Sequence, residues 1–227
     1  MYRYETHMHT APASQCATAT VRESLEFYKE LGYDGVFITN HFLDGNININ
    51  YRELPFKEKL ELFCEDYEAG VKIGKEIGIK VFFGVELPYK GTDFLVYGLD
   101  KDWYMAHPEI MDMKKSEELP FLMENGGFII QAHPFRDSSY IDHIRLFPKC
   151  VNGIEVLNSS RPEFENKMAE LYADHYNLLK MAGSDNHYAS ARKHLAGMET
   201  DTPINNEHDF IEQFKNGKLK IFEMNVE

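Results

Sequence analysis

Residues 153–187 have the sequence GIEVLNSSRPEFENKMAELYADHYNLLKMAGSDNH. Two short apolar segments, Gly153–Leu157 and Leu178–Ala182, have the length and composition of buried parallel strands. Between them, Phe164–Tyr176 places apolar side chains at helical spacing. This order predicts a parallel strand–helix–strand unit that ends in the polar sequence Asp-Asn-His at residues 185–187.

The same alternation continues through the rest of the chain. Five further strands are predicted at Tyr2–Glu5, Gly35–Thr39, Lys80–Gly84, Phe94–Gly98 and Phe128–Gln131. Further helices are predicted at Val21–Leu31, Lys57–Ile77 and Phe210–Phe214. Because no linker or internal repeat divides the chain, we expect an α/β fold with a parallel sheet in one domain, residues 1–227. A closed or distorted βα barrel is the expected form, with a doubly wound open sheet as the alternative.

Composition and charge exclude several classes of protein. The 227 residues include 24 Lys and Arg against 37 Asp and Glu, a net charge of -13. An acidic surface of this kind disfavours nucleic-acid binding, which needs clustered cations. The sequence has no apolar run long enough for a membrane span, no secretory signal and no CxxC pair among its three cysteines. We therefore expect a soluble cytoplasmic protein that binds neither nucleic acid nor membrane.

Histidine and acidic residues stand where the predicted strands end. They are His7, His9, His41, Glu86, His133, Asp185 and His187. In a βα barrel the C-terminal ends of the strands meet on one face, so we expect these side chains to converge there. Residues i and i+2 of a strand share a face, which lets both imidazoles of the His-x-His pair reach one ion. Imidazoles with carboxylates are the ligand set of Mn, Fe and Zn, so the set predicts a metal centre.

The other five histidines are predicted to have surface or capping roles, because they lie in helices or loops. They are His107, His143, His175, His194 and His208. Cys16 follows the His-x-His pair in a loop and is either a side ligand or a small buried apolar residue.

As a set, these motifs resemble the PHP (polymerase and histidinol phosphatase) family of metal-dependent phosphoesterases. The matching segments are THMHTAPAS, VFITNHF, FFGVEL, IIQAHPF and MAGSDNHYA, spread over residues 6–189. The resemblance implies a distorted seven-stranded βα (TIM-like) barrel that holds two or three divalent ions, among Mn, Zn and Fe. The implied activity is hydrolysis of a small phosphorylated metabolite by metal-activated water. The substrate would be a phosphomonoester such as histidinol phosphate, or a nucleotide or sugar phosphate.

The resemblance also implies a role for each ligand. The first ion would have four: His7, His9, Glu86 and Asp185. Glu86 would bridge to a second ion, which His133 would bind. His41 and His187 would bind a third ion where one is present. Asp185, His133 and His187 are the implied catalytic residues. Either histidine, if it is not fully committed to metal, could protonate the leaving oxygen.

The sequence departs from the family pattern at two places. Family members with three full sites usually supply a further histidine shortly after His-x-His and another before Ala-His-Pro. Here the first region has Ser14-Gln15-Cys16, and the second, DFLVYGLD, has no histidine. These departures leave one or two tightly held ions as an alternative to the full three-metal centre.

A phosphate group also needs fixed cations, and the fork of an arginine matches its oxygens. Arg136, Arg161 and Arg192 follow motif-bearing strands and are the candidates, each weighed against a role as a solvated surface charge. Asn158 and Ser159 could orient a ligand by hydrogen bonds.

Two other functions are compatible with the same residues. An amidohydrolase-like C–N hydrolase also begins with His-x-His, although the Asp-x-His ending and the Ala-His-Pro segment favour the phosphoesterase. The other alternative is a non-catalytic metal-binding accessory module, like the barrels fused to some DNA polymerases. The acidic charge argues against a DNA role for it.

Overall fold

Nine strands form one mixed sheet in the structure, a computed structural model that describes residues 1–226. They are β1 Tyr2–Met8, β2 Gly35–Ile38, β3 Lys80–Tyr89, β4 Thr92–Tyr97, β5 Phe128–Ala132, β6 Gly153–Asn158, β7 Leu179–Gly183, β8 His194–Thr200 and β9 Lys220–Asn225. Their order across the sheet is β7-β6-β5-β4-β3-β2-β1-β8-β9.

Helices connect and cover the strands. The α-helices of the described chain are α1 Val21–Glu30, α2 Phe56–Ile77, α3 Lys101–Ala106, α4 Lys115–Glu124, α5 Glu163–Tyr176 and α6 Glu207–Lys215. A capping box of Thr20 and Glu23 begins α1, and Gly78 ends α2 in the left-handed conformation that glycine adopts without strain. No helix within residues 1–226 has both the length and the apolar composition needed to cross a membrane.

The two ends of the strand series approach each other where β7 passes β1. Thr6 Oγ1 donates a hydrogen bond to the Ala182 carbonyl at 2.6 Å, and the His9 amide donates to the Asn186 carbonyl at 2.9 Å. The sheet is therefore a nearly closed barrel, as the sequence predicted. Buried side chains fill its interior, among them Tyr4, Phe37, Tyr97, Phe128 and Met181.

All seven predicted strands are present, and the structure adds β8 and β9. β8 extends the sheet beyond β1 in the antiparallel sense, and β9 pairs with β8. The segment HLAGMET of β8 is poor in β-branched residues, and the exposed β9 shows no apolar run, so neither gave a strand signal. The short α3 and the proline-containing α4 were not predicted for similar reasons.

The expectation of a parallel sheet is wrong for β4, which runs antiparallel to both β3 and β5. Only Lys90 and Gly91 connect β3 to β4, and both have positive φ, 49° and 88°. A two-residue turn of this kind joins antiparallel strands, whereas parallel strands need a crossover of a dozen or more residues. As a result, β4 begins at the end of the barrel where β3 and β5 finish.

Candidate metal centre

The seven predicted ligands lie together at one end of the barrel. Their nitrogen and oxygen atoms form three groups, and within each group the ligand atoms lie within 4.8 Å of one another. The groups are His7 with His9 and Asp185, His7 with Glu86 and His133, and His9 with His41 and His187. Because His7 and His9 each belong to two groups, the three form one continuous centre. Three protein ligands are the number that holds a catalytic zinc ion while leaving a position open.

Glu86 lies in the middle of this centre and is 1% exposed. Its Oε1 lies 3.2 Å from His7 Nε2 and 3.3 Å from His133 Nε2. Its Oε2 lies 2.7 Å from His41 Nδ1 and 3.4 Å from His9 Nε2. Within the described residues neither oxygen receives a hydrogen bond. A buried carboxylate without donors is unfavourable by several kcal/mol, and a bound cation removes that penalty.

The hydrogen bonds around His7 and His9 direct two lone pairs at the same point. His7 Nδ1 donates to Glu155 Oε1 at 2.8 Å. His9 Nδ1 donates to Ser14 Oγ at 3.1 Å, because the Ser14 hydroxyl proton is already donated to Asn40 Oδ1. When both rings are neutral, these bonds leave each Nε2 as a lone pair, and the two Nε2 atoms lie 3.2 Å apart. Two lone pairs at this distance repel each other unless a cation lies between them, so the donor set fits a metal ion.

Neighbouring charges shift the pKa values of these groups in different directions. Burial opposes charge on His7, yet Glu155 and Asp185 raise its pKa well above the usual value. Burial and the imidazole of His187 hold the pKa of His9 well below its usual value. Burial also opposes charge on Asp185, but the adjacent imidazoles keep its pKa well below the usual value. The carboxylate is therefore ionised and able to bind a cation.

The backbone at two ligands is strained. His133 and Asp185 have φ values of 25° and 50°, a region that costs non-glycine residues about 1–3 kcal/mol each and is found mainly at functional sites. The end of β7, just before Asp185, is packed closely against β1 and β6. A Cβ atom at Gly183 would lie 2.6 Å from the Cβ of His7 and 2.9 Å from Glu155 Oε1, so only glycine fits there.

Two acidic residues of the centre were not predicted from the sequence. Glu155 lies within the apolar strand β6, where it accepts hydrogen bonds from His7 Nδ1 at 2.8 Å and from the His133 amide at 3.0 Å. The one feature of the sequence that could have indicated its role is that a charged residue stands inside an otherwise apolar strand. Asp93 lies at the start of β4, 3.9 Å from His133 Nε2, and burial together with Glu86 raises its pKa to about 6.

The centre opens into a cavity of about 430 Å³, a size typical of small-molecule sites. Arg136 and Arg161 line this cavity, whereas Arg192 is not among its lining residues. The Arg136 Nε is buried and has no hydrogen-bond partner among the described residues. Arg161 is already bound to Glu165 through two contacts of 2.7 and 3.1 Å. A larger cavity of about 590 Å³, near the first residues of β1 and β3, is lined by none of the predicted ligands.

Cys16 also lines the cavity and is half-buried. Burial alone would raise the pKa of its thiol, but hydrogen bonds to His187 and His41 lower it to about 6. The structure thus places Cys16 beside two predicted ligands rather than in the apolar core. The five histidines given surface or capping roles lie outside the three ligand groups. Three of them contact acidic side chains instead: His107 with Glu109, His143 with Asp142 and His194 with Glu223.

The substitution Glu155→Gln tests whether the hydrogen bonds that Glu155 accepts from His7 and from the His133 amide orient the predicted metal ligands. The amide has one oxygen to accept a hydrogen bond where the carboxylate has two, so the variant cannot serve both His7 and His133 as Glu155 does. Loss of such an outer contact typically costs 10–100-fold in metal affinity or activity, and we expect a loss of about that size. Metal titration of the purified variant and of the wild type measures this loss, with Glu170→Gln as control, because Glu170 is only half-buried and pairs with Lys167 away from the centre. Unchanged affinity would show that Glu155 does not orient the ligands.

Comparison with known proteins gives structural matches only. No protein-family model matches the sequence, and no curated protein does. The chain matches a two-domain protein from Bacteroides vulgatus that contains a predicted PHP-like metal-dependent phosphoesterase. The TM-score is 0.68 at 13% identity, over 97% of this chain and 64% of that one.

Two further matches cover nearly the whole of both chains. A protein from Bifidobacterium adolescentis, provisionally described as a metal-dependent phosphoesterase, matches at TM-score 0.56 and 13% identity over 92% of this chain and 94% of that one. An amidohydrolase from Chromobacterium violaceum, with bound sulfate and no metal, matches at TM-score 0.54 and 14% identity over 96% and 97%. The chain therefore has the barrel fold of the PHP-like metal-dependent phosphoesterases that its sequence motifs resemble.

Proposed function

We propose that this protein is a PHP-family phosphoesterase that depends on divalent metal ions and hydrolyses a small phosphorylated metabolite. One observation carries the proposal. The buried carboxylate of Glu86 has no hydrogen-bond donor and is surrounded by four imidazoles, at the floor of a cavity that two arginines also line. Divalent ions bound at the floor would, together with guanidinium groups on the wall, suit a phosphate ester better than a neutral substrate.

Two or three ions of Mn, Zn or Fe fit the three ligand groups. His7, His9, Glu86 and Asp185 would hold the first ion, with Glu86 shared with the second. The second would also bind His133, and His41 with His187 would hold a third. Bound there, such ions supply an activated water nucleophile at neutral pH and neutralise charge on the phosphoryl oxygens.

The chain itself positions the substrate and moves the proton. Arg136 lines the cavity, and its Nη1 lies 3.8 Å from Asp93 Oδ2, which is too far for a hydrogen bond, so its guanidinium can bind a phosphoryl oxygen without breaking an existing hydrogen bond. His133 and His187 line the same cavity, and whichever of them does not hold an ion can give a proton to the leaving oxygen. The volume of about 430 Å³ accommodates a metabolite rather than a polymer.

A phosphatase assay tests the proposal. The protein, freed of metal and then loaded with Mn²⁺, is assayed on p-nitrophenyl phosphate, histidinol phosphate, sugar phosphates and nucleotides. We expect turnover of at least one compound that the His9→Ala, Asp185→Ala double variant does not catalyse. If the wild type is no faster than the double variant on every compound, the phosphoesterase proposal fails.

The second candidate is a C–N hydrolase, because the chain also matches the Chromobacterium violaceum amidohydrolase along nearly its whole length. The two arginines in the cavity favour the phosphate ester. Release of ammonia or of a ring-opened product from amide substrates, with no phosphate released from the ester panel, would reverse that preference.

Arg136 is expected to contribute more to phosphate binding than Arg161. Hydrogen bonds to charged groups contribute about 1.5–3 kcal/mol, so Arg136→Ala should lower kcat/KM by about 10- to 100-fold, mainly through KM. Arg161→Ala should have a smaller effect, since its guanidinium already binds Glu165. Arg192→Ala serves as the control outside the cavity. Steady-state kinetics decide, and equal losses in all three variants would contradict the assignment.

A further inference from the structure

We infer that Asn40 is a positioning residue, whose side-chain amide fixes the tautomer in which His9 offers Nε2 to the metal centre. The inference rests on the proposed function, because His9 belongs to two of the three ligand groups. It assigns a role to a side chain that acts on the ligand only through its neighbour Ser14.

Asn40 follows β2 and is 2% exposed. Its oxygen accepts from the Thr10 amide and from the Ser14 hydroxyl, and its nitrogen donates to Thr10 Oγ1 with a longer contact of 3.5 Å to Asp66 Oδ2. Every hydrogen-bonding position of this buried amide therefore has a partner, and a fully satisfied network of this kind has a single arrangement.

The backbone determines which way the Asn40 amide points. The Thr10 amide donates to Asn40 Oδ1 at 2.7 Å, so a flipped side chain would set two donors against each other at that distance. On the other side, Asn40 Nδ2 donates to Thr10 Oγ1 at 2.9 Å. Thr10 Oγ1 gives its own proton to Asp66 Oδ2 at 2.7 Å, so it can only accept from Asn40.

The oxygen of Asn40 decides where the Ser14 proton goes. Ser14 Oγ lies 2.9 Å from Asn40 Oδ1, which can only accept, so the hydroxyl donates to it. The His41 amide donates to the same hydroxyl at 3.1 Å, and His9 Nδ1 also lies 3.1 Å from it. Because Ser14 has no second proton to give, a neutral His9 ring carries its proton on Nδ1 and a lone pair on Nε2.

The opposite orientation of the same amide would disable the ligand. A nitrogen in place of the Asn40 oxygen would donate to Ser14, and Ser14 would then donate to His9 Nδ1. The ring proton would move to Nε2, the nitrogen that lies 3.2 Å from His7 Nε2, and no ion could bind there. A metal-binding imidazole needs a neighbour that fixes its protonated nitrogen. His7 has Glu155 for this purpose, and His9 has Asn40 acting through Ser14.

Nitrogen NMR of the histidine rings in metal-free protein tests the inference without reference to turnover. At mildly alkaline pH, the chemical shifts of the two ring nitrogens show which of them carries the proton. We expect Nδ1 to be protonated in wild-type His9. In Asn40→Ala the Ser14 hydroxyl is free to donate to the ring, so Nε2 should be protonated in a large fraction of the molecules. Asn152→Ala is the matched control, because the side-chain oxygen of Asn152 also accepts a backbone amide, near the start of β6.

Metal affinity gives a second measurement, which a merely structural role would not reproduce. Titration with Zn²⁺ should show a loss of about 10–100-fold in Asn40→Ala, the usual effect of removing an outer contact of a metal-binding histidine. Because Asn40 acts through Ser14, the double variant with Ser14→Ala should bind Zn²⁺ about as weakly as Ser14→Ala alone. Asn40→Asp presents an oxygen to Ser14 in either orientation, so it should keep the wild-type tautomer of His9.

A wild-type His9 that carries its proton on Nε2, or an unchanged ring in Asn40→Ala, overturns the inference. So do losses of Zn²⁺ affinity that multiply in the double variant. If Asn40→Ala does not fold, Ser14→Ala and Asn40→Asp decide, since the first should release the tautomer and the second should keep it. The expected tautomer without any phosphatase activity leaves Asn40 its role and rejects the proposed function, whereas activity with the other tautomer does the opposite.

Discussion

Glu86→Gln is expected to lower kcat/KM for phosphate ester hydrolysis by roughly 10³-fold or more, and to remove tight metal binding. Glu86 is the residue that all the other ligands surround. Four imidazole nitrogens lie between 2.7 and 3.4 Å from its two oxygens. Burial opposes its charge, but His41 and His7 keep its pKa well below the usual value, so it is anionic at neutral pH. The amide removes that charge and one of the two oxygens that can bind a cation.

The same variant separates loss of metal from loss of folding. The glutamine amide can donate to a neighbouring imidazole lone pair, so the melting temperature in the presence of chelator should not fall below that of wild type. Glu26→Gln is the matched control, because Glu26 is exposed and pairs with Arg22 on the surface of α1. Metal analysis and kinetics are made on the same preparations. Near-normal metal content and activity in Glu86→Gln would contradict the central role given to this residue.

Removing the metal is expected to abolish hydrolysis and to lower the melting temperature by roughly 5–11 °C. An ion at 100 times its Kd stabilises the folded state by about 2.7 kcal/mol, and 1 kcal/mol corresponds to about 2–4 °C in a protein of 150–250 residues. The physical source is the buried charge of Glu86, which has no hydrogen-bond donor among the described residues when no cation is bound. Differential scanning calorimetry with chelator and with added Zn²⁺ or Mn²⁺ measures the shift.

The shift in melting temperature should shrink as the pH falls. The pKa of His7 is raised well above the usual value, so its Nε2 takes up a proton when no cation holds it. At lower pH more of these protons must leave before an ion can bind, and the apparent metal affinity decreases. Glu86→Gln should show almost no shift at any pH. A wild-type melting temperature that is the same with metal and with chelator would contradict the metal centre.

The ligand side chains could be located from the sequence because the parallel strands β1, β2, β5 and β7 all finish at the same end of the barrel. The position of a residue just after an apolar run therefore fixes its position in space. For this reason His7, His41, His133 and Asp185, which are far apart in sequence, could be placed together without coordinates.

Asp93 escaped prediction because the same rule fails for β4. This strand runs in the opposite direction, so its first residues rather than its last lie beside the centre. Glu155 escaped for another reason. It lies inside β6 with apolar neighbours, and only the three-dimensional pairing with His7 shows why a charge is present there. Predicting Asp93 needs the two-residue turn that reverses the chain before β4, and predicting Glu155 needs its long-range contact with His7. The amino-acid composition of a strand reveals neither of them.

The turn at Lys90–Gly91 has a practical consequence. Gly91 lines the cavity, and an added Cβ there would lie 2.8 Å from Ile141 Cγ1, so the hairpin tip and the segment around Ile141 stand against each other at the rim. Neither contributes a ligand to the three groups. Insertions at this tip should reshape the entrance while leaving the inorganic chemistry below intact, which makes the hairpin a natural place to begin evolving altered selectivity in the laboratory.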